Sequence, residues 1–267
     1  MRRPFLITMS VSILVLSACA MESGEMAPAS SLAASSPSPS NFTQAVSAPG
    51  RDEADAKLDV SRKPAEVLAF MGLESGDAVL DIFAGGGYYS EILGRAIGPT
   101  GSVIAVNPPQ FVSSDAAKAK WADVTGRQPN VSLVAAQLYE YTPDAETLDF
   151  AMMHLIYHDL YWESEQYKVK RMDPAAFLTK LYTGMKPGGI VAVIDHVGGA
   201  GETRAVVEKT HRLNPDVVRA DFARAGFVLE AESNMFTNPA DDLDKNVFDM
   251  AVRGKTDRFT MRFRKPN

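Results

Sequence analysis

Three stretches of this chain carry residue types at spacings that could do chemistry. The first is Asp81 followed by the glycine run Gly85-Gly86-Gly87. Glycine accepts left-handed backbone angles and has no side chain to hold a ligand away from the main chain, so such a run can cradle a small molecule. The second is His154-Leu155-Ile156-Tyr157-His158-Asp159-Leu160-Tyr161-Trp162. Here His158 or Asp159 could take a proton as general base, and Tyr157 and its aromatic neighbours could orient a substrate. His154 and His158 are four apart, a spacing that on a helix places two metal ligands on one face. The third is the pair Asp195-His196, which could line the same crevice or simply cap a loop.

The elements that must position these residues follow from the apolar pattern. Val79 to Phe83 is a short run rich in β-formers, and Tyr88 to Ile97 is an amphipathic helix with apolar Ile92, Leu93 and Ile97. Strand, glycine turn and helix bring backbone against a ligand at the C-terminal edge of a parallel sheet. Leu148 to Met153 is a second strand whose exit carries His154 to Trp162, so that loop is expected beside the same crevice. A strand exit does not offer a helical face to His154 and His158, and no metal site is expected. Asp173-Pro174 starts a helix that runs to Met185, and the turn Lys186-Pro187-Gly188-Gly189 leads into the strand Ile190 to Ile194. Further strands are expected at Ser102–Val106, Val131–Ala135, Val228–Glu232 and Phe259–Phe263, the last alternating and suited to antiparallel pairing. Helices are expected at Ser113–Thr125, at Glu202–Arg212 and after Asn214-Pro215, with a polar excursion over Asn234–Asn246. Periodicity and spacing alone describe a doubly wound α/β sheet.

The 267 residues, 46% hydrophobic and 22% charged, suffice for one full-sized core. A formal charge of −6 gives no basic surface for nucleic acid or anionic lipid. The single cysteine, Cys19, rules out an internal disulfide framework. It closes a segment with the form of a secretion signal, residues 1–18, in which Arg2 and Arg3 precede the apolar run Phe5 to Leu16. Residues 19–50 are dominated by Ala, Ser and Pro and read as a tether with too little apolar surface to order itself. The folded domain, residues 51–267, is expected to begin near Arg51, with helical segments to Met71 broken at Pro64.

The spacing Asp81-x-x-x-Gly85-x-Gly87 resembles motif I of the class I S-adenosylmethionine-dependent methyltransferases, and Met185-Lys186-Pro187-Gly188-Gly189 resembles their turn before strand five. The combination of Gly85 to Glu91, Tyr157 to Trp162 and Arg253 to Phe259 looks like a group of bacterial methyltransferases of unnamed substrate. The resemblance implies an α/β, Rossmann-like seven-stranded methyltransferase fold, mostly parallel with an antiparallel last strand. It also implies S-adenosylmethionine as cofactor, a small-molecule substrate, and methyl transfer to an O or N nucleophile held near Tyr157, His158 and Asp159. Asp81, Gly85, Gly86, Gly87 and His154 then lie along the cofactor. Family members commonly carry an acid for the ribose hydroxyls where this chain has Asn107, and another near the adenine amino group where it has Gln137. Phe83 stands where the first glycine of motif I is common. Two other readings stay open: a non-catalytic periplasmic binding or scaffold protein that retains the fold, and a metal-dependent hydrolase using His154, His158, Asp159 and His196.

Leu16-Ser17-Ala18-Cys19 resembles the bacterial lipobox, which implies a lipidated Cys19, an exported chain held in the periplasm through an N-terminal lipid anchor, and, with Ala20 next, the outer membrane. Arg2-Arg3 also looks like a twin-arginine signal. Replacing Cys19 with Ala is expected to release the mature domain into the soluble periplasmic fraction or to stall the precursor. A variant that fractionates and migrates like its parent contradicts the anchor.

Overall fold

Strand β1 (Ala78–Ile82) occupies the middle of a seven-stranded sheet, hydrogen-bonded in parallel to β2 (Ser102–Asn107) on one side and to β4 (Leu148–His154) on the other. The computed structural model describes residues 39–267, and the signal segment and Cys19 lie outside them. Beyond β2 the sheet continues in parallel to β3 (Val131–Ala135), and beyond β4 to β5 (Met185–His196). The last strand, β7 (Arg258–Arg264), runs antiparallel between β5 and β6 (Val228–Ser233), so the order is β3-β2-β1-β4-β5-β7-β6. The chain moves outward one way from β1 and then resumes on its other side at β4. A parallel sheet opens its ligand crevice at such a reversal, outside the C-terminal strand ends. The chemistry-bearing residues Gly85, His154 and Asp195 all follow or end strands at this edge.

Period-two alternation divides the core between the two faces of the sheet. Leu80 and Ile82 of β1 join Ala151 and Met153 of β4 and Val191 and Val193 of β5 on one face. Helices α8 (Pro174–Gly184) and α10 (Pro215–Ala225) cover it through Phe177, Leu178, Leu181, Val218 and Phe222, and α9 (Thr203–Thr210) adds Val207. Val79, Phe150, Met152, Ala192 and Ile194 point to the other face. There α4 (Pro64–Met71), α5 (Tyr88–Ile97) and α7 (Asp115–Arg127) supply Leu68, Ile92 and Trp121. Asp81 shares the parity of Val79, so its carboxylate is delivered to the α5 side, where Ser90 donates to it at 2.6 Å. Short helices α2 (Glu53–Ala56), α3 (Asp59–Arg62) and α6 (Pro109–Val112) complete the set. No helix among the described residues is long and apolar enough to cross a membrane.

Two expectations are corrected. The tether does not run to Gly50: Pro39–Ser47 is a helix, α1, that packs on α4 and α5. Its Phe42 is 2% exposed. Arg51 locks the segment in place, donating to the Val46 carbonyl at 2.6 Å and to both Asp59 oxygens at 2.6 and 2.9 Å. Ser-Pro composition concealed a helix whose apolar residues, Phe42 and Ala45, lie one turn apart. The second correction concerns Lys186 to Gly189. Pairing with β4 already begins at Met185, and these four residues bulge opposite Asp149 alone. Lys186 Nζ bridges the Asp149 carboxylate at 2.7 and 2.8 Å, and Asp149 also accepts from the Ala78 amide.

Phe42→Ala is therefore expected to lower stability by about 3 kcal/mol or more, the usual range for removing a buried aromatic ring. Thermal unfolding of the domain checks it. A midpoint unchanged from the parent contradicts the docking of α1.

Candidate functional site

The turn after β1 is built around one residue. Gly85 takes a left-handed φ of +57°, and its amide donates to Asn107 Oδ1 at 2.9 Å. Its carbonyl accepts from Asn107 Nδ2 at 3.2 Å and from Trp121 Nε1 at 3.0 Å. The Asn107 amide thus holds both backbone groups of Gly85 at once, and it is fully buried at the end of β2. A carboxylate at that position could accept from the Gly85 amide but would face its carbonyl with no proton to give. The three glycines differ in what surrounds them. A Cβ on Gly85 would meet nothing within 4 Å, one on Gly86 would meet the Lys120 chain at 3.1 Å, and one on Gly87 would meet Val124 at 3.2 Å and Trp121 at 3.3 Å. Gly85 lies open beside the cleft, whereas Gly87, at φ +85°, leaves room for the Val124 and Trp121 side chains of α7.

The cleft over this turn has a volume of about 330 Å³. Asp81, Gly85, Gly86, His154 and Asp159 line it, and α3 closes one side with Arg62. The Arg62 guanidinium sits 4.3 Å from the centre of the Tyr88 ring. Tyr88 is fixed in turn by a 2.6 Å hydrogen bond from its hydroxyl to Asp59. Lys120 reaches over Gly86 and bonds Asp55 at 3.0 Å. Burial raises the Asp81 carboxyl to about 6, against the Ser90 hydrogen bond that favours its anion. His154 packs on the Tyr89 ring with centroids 4.6 Å apart. Burial and the nearby Arg62 and Arg258 hold His154 neutral, well below the ordinary histidine range, and its Nε2 is buried without a hydrogen-bond partner.

The loop after β4 forms a short 3-10 turn, Tyr157–Leu160, that sends its side chains to different places. Tyr157 is fully buried and donates to Asp221 of α10 at 2.8 Å, away from the cleft. That corrects its expected catalytic role: the hydroxyl braces the loop against α10, together with Tyr161, which bonds the same carboxylate. His158 is buried, and its Nδ1 lies 2.9 Å from Asp195 Oδ1. Its backbone amide donates to Asp195 Oδ2 at 2.8 Å, and the His196 amide donates to Oδ1 at 2.7 Å. On the other side of the ring, Nε2 faces Asp159 Oδ1 at 3.5 Å. Burial would lower the His158 pKa, but the Asp195 and Asp159 carboxylates outweigh it and push it up to about 9. Burial raises Asp159 to about 6, although the His158 cation opposes the rise. His196 leaves this group, with its Nδ1 2.8 Å from the Thr256 hydroxyl.

The expected residues therefore fall into three sets. Asp81, Gly85, Gly86, His154 and Asp159 meet at the cleft, with His158 behind Asp159. Gly87 and Asn107 support the turn from beneath, which corrects the expectation that Asn107 accepts from ribose hydroxyls. Gln137 donates to Gln110 at 2.8 Å and lines a narrow neighbouring cavity that shares Phe83 and Asp159 with the cleft. Sequence reasoning missed Arg62, Lys120 and His211. The first two carry no motif of their own, and only the closeness of a basic residue to the start of the domain could have raised Arg62. Asn107→Asp is expected to loosen the turn by about 1–3 kcal/mol, because the Gly85 carbonyl loses a buried donor. Thermal unfolding of parent and variant checks this, and a variant as stable as the parent contradicts the clamp.

No family model matches this chain, and no curated relative matches it. Solved structures do. A SAM-dependent methyltransferase from Aquifex aeolicus superimposes with a TM-score of 0.55 at 20% identity, over 85% of this chain and 98% of its own. Geranyl diphosphate C-methyltransferase from Streptomyces coelicolor A3(2), solved with Mg2+, geranyl diphosphate and S-adenosyl-L-homocysteine, gives 0.55 at 13% identity over 83% and 87%. The [4+2]-cyclase SpnF gives 0.58 at 15% identity over 82% and 85%. A cyclase among methyltransferases illustrates that a fold hosts more than one reaction. The seven-stranded mixed sheet, its strand order and these neighbours agree: the chain has the Rossmann-like fold of the class I methyltransferases.

Proposed function

We propose that the protein is an S-adenosylmethionine-dependent methyltransferase acting on an O or N nucleophile of a small substrate. The observation that carries this reading is the cleft itself. It joins an open glycine turn, a buried carboxylate and an unpartnered His154 Nε2 at the reversal point of a methyltransferase-type sheet. The residues fit the donor on its amino-acid side: Asp81 for a cationic group, Gly85 and Gly86 for close approach of backbone, Arg62 for a carboxylate. They fit less in the family manner on the nucleoside side, where Asn107 is engaged by Gly85 and Gln137 by Gln110. The apolar wall of Phe83, Leu155 and Ile156 is the surface left for that part.

When bound, the donor supplies an activated methyl group: its S–CH3 bond breaks as the acceptor's O–CH3 or N–CH3 bond forms, and the electron pair stays on sulfur. The chain's own contribution is positioning and proton removal. Asp159 borders the cleft and is the group placed to take the acceptor's proton. His158, held by Asp195, stands behind it with Nε2 3.5 Å from Asp159 Oδ1. Arg62 and Tyr88 narrow the entrance from the α3 side and exclude water. With Cys19 as lipid anchor, the domain would act in the exported compartment.

Calorimetric titration of the protein with S-adenosylmethionine and S-adenosylhomocysteine tests the reading, and no heat at millimolar ligand contradicts it. The buried Asp81 adds a pH signature. Its folded-state pKa of about 6 means that it is ionised at pH 7 and protonated at pH 5. Affinity for the cationic donor is expected to fall as pH drops through 6, approaching tenfold per unit. Asp81→Asn is expected to bind more weakly at pH 7 with a shallower profile, the remaining slope belonging to Asp159, which is raised to about 6 on the same cleft. The same slope in parent and variant contradicts the role of Asp81.

A further inference from the structure

We propose that His158, Asp159 and His211 form a binding site for a divalent transition-metal ion of the zinc type, at the wall of the methyl-donor cleft. One ligand atom from each lies within 4.8 Å of the others. The His158 Nε2 to Asp159 Oδ1 separation of 3.5 Å is beyond a good hydrogen bond. It is close to the roughly 3.3 Å edge of a tetrahedron with metal–ligand distances of about 2.0–2.1 Å. Neither the Asp159 carboxylate nor the His211 ring has a side-chain hydrogen bond among the described residues, so three donor atoms converge with no other partner than one another.

The surroundings are those of a metal-binding histidine. Such a histidine usually gives its second nitrogen to a carboxylate, which fixes the tautomer and aims the ring. His158 does this with Asp195 at 2.9 Å, and Asp195 is immobilised by the His158 and His196 amides. His211 caps α9 with a left-handed φ of +51°. Its ring is wedged edge-on between Trp162 and Phe248, at centroid distances of 4.9 and 5.2 Å, and meets His158 at 5.5 Å. The ion would displace the Nε2 proton of the His158 cation, and two carboxylates, Asp159 and Asp195, balance its two positive charges. The sequence expectation of no metal considered His154, His158 and His196. The structure sends His154 to Tyr89 and His196 to Thr256, and brings His211 in their stead.

Three protein ligands leave a fourth position open, as in catalytic rather than structural sites. Asp159 also borders the cleft. The acceptor class that follows, resting on the methyl-transfer reading, is a small molecule with a hydroxyl oxygen able to fill that position. The ion, held through one Asp159 oxygen, would lower the hydroxyl's pKa and hold it toward the methyl donor, and the other Asp159 oxygen takes the proton as the O–CH3 bond forms.

Titration of the full chain with Co2+, followed by visible absorption, tests the site. One equivalent with the intense bands of a four-coordinate ion is expected. His211→Ala is expected to remove the bands with far-ultraviolet circular dichroism unchanged, and Asp195→Asn to weaken binding about 10–100-fold. No binding at 1 mM Co2+ on the scale of ordinary metal affinities, or bands that persist in His211→Ala, overturns the proposal. Parallel titration with S-adenosylhomocysteine keeps the two claims separate. Cobalt binding without nucleoside binding leaves the metal site and removes the acceptor class, and the reverse result overturns the metal site alone.

Discussion

The cleft depends on one side chain that does not line it. Asn107 ends β2 and holds the amide and carbonyl of Gly85 together, while Trp121 of α7 takes the same carbonyl from the other side. Three hydrogen bonds on a single glycine fix the left-handed turn that follows β1. That turn sets where α5 begins, and therefore where Tyr88, Tyr89 and Ser90 stand. Ser90 then reaches back to Asp81, and Tyr89 supports His154. The Asn107 amide is fully buried, and leaving it without partners would cost on the order of 1–3 kcal/mol, so this arrangement is enforced rather than incidental.

A second buried group plays the matching part at the other side of the crevice. Asp195 ends β5 and accepts from His158 Nδ1, the His158 amide and the His196 amide. A buried carboxylate is tolerated where it is paired and hydrogen-bonded in this way. Its effect is to fold the loop after β4 against β5 and to turn Asp159 toward the cleft. Tyr157 and Tyr161 anchor the same loop to Asp221 on α10. The loop is thus held by carboxylates from two elements, Asp221 at Tyr157 and Tyr161 and Asp195 at His158 between them, which suits a wall whose groups must keep their positions. On the open side, Arg51 joins α1, α3 and, through Asp59, Tyr88 of α5. The N-terminal helices are in this sense part of the site's frame.

Much of this was legible in the amino-acid sequence. The strand, glycine run and helix around Asp81 were, because alternation and glycine spacing are local signals. So was the antiparallel last strand, from the alternation of Phe259 to Phe263. What could not be read was partnership across distance. Asn107 looks like an adenosine contact by position, and only the fold shows that its partner is a glycine 22 residues earlier. Tyr157 and His158 are neighbours in the chain, yet one turns to α10 and the other to β5. His211 sits in a helix end with no motif, and its place beside His158 arises from the packing of α9. Helix α1 was hidden because serine and proline dominate the segment around two buried apolar residues.

Hydrogen–deuterium exchange with and without S-adenosylhomocysteine tests the central claim, that the cleft over Gly85 is the donor site, more directly than any variant. The account predicts slowed exchange confined to the turn and start of α5, residues 83–90, and to the β4 exit, residues 154–159. Exchange unchanged at saturating ligand, or protection confined to the groove beside Arg219, Glu232 and Asp257, would contradict it.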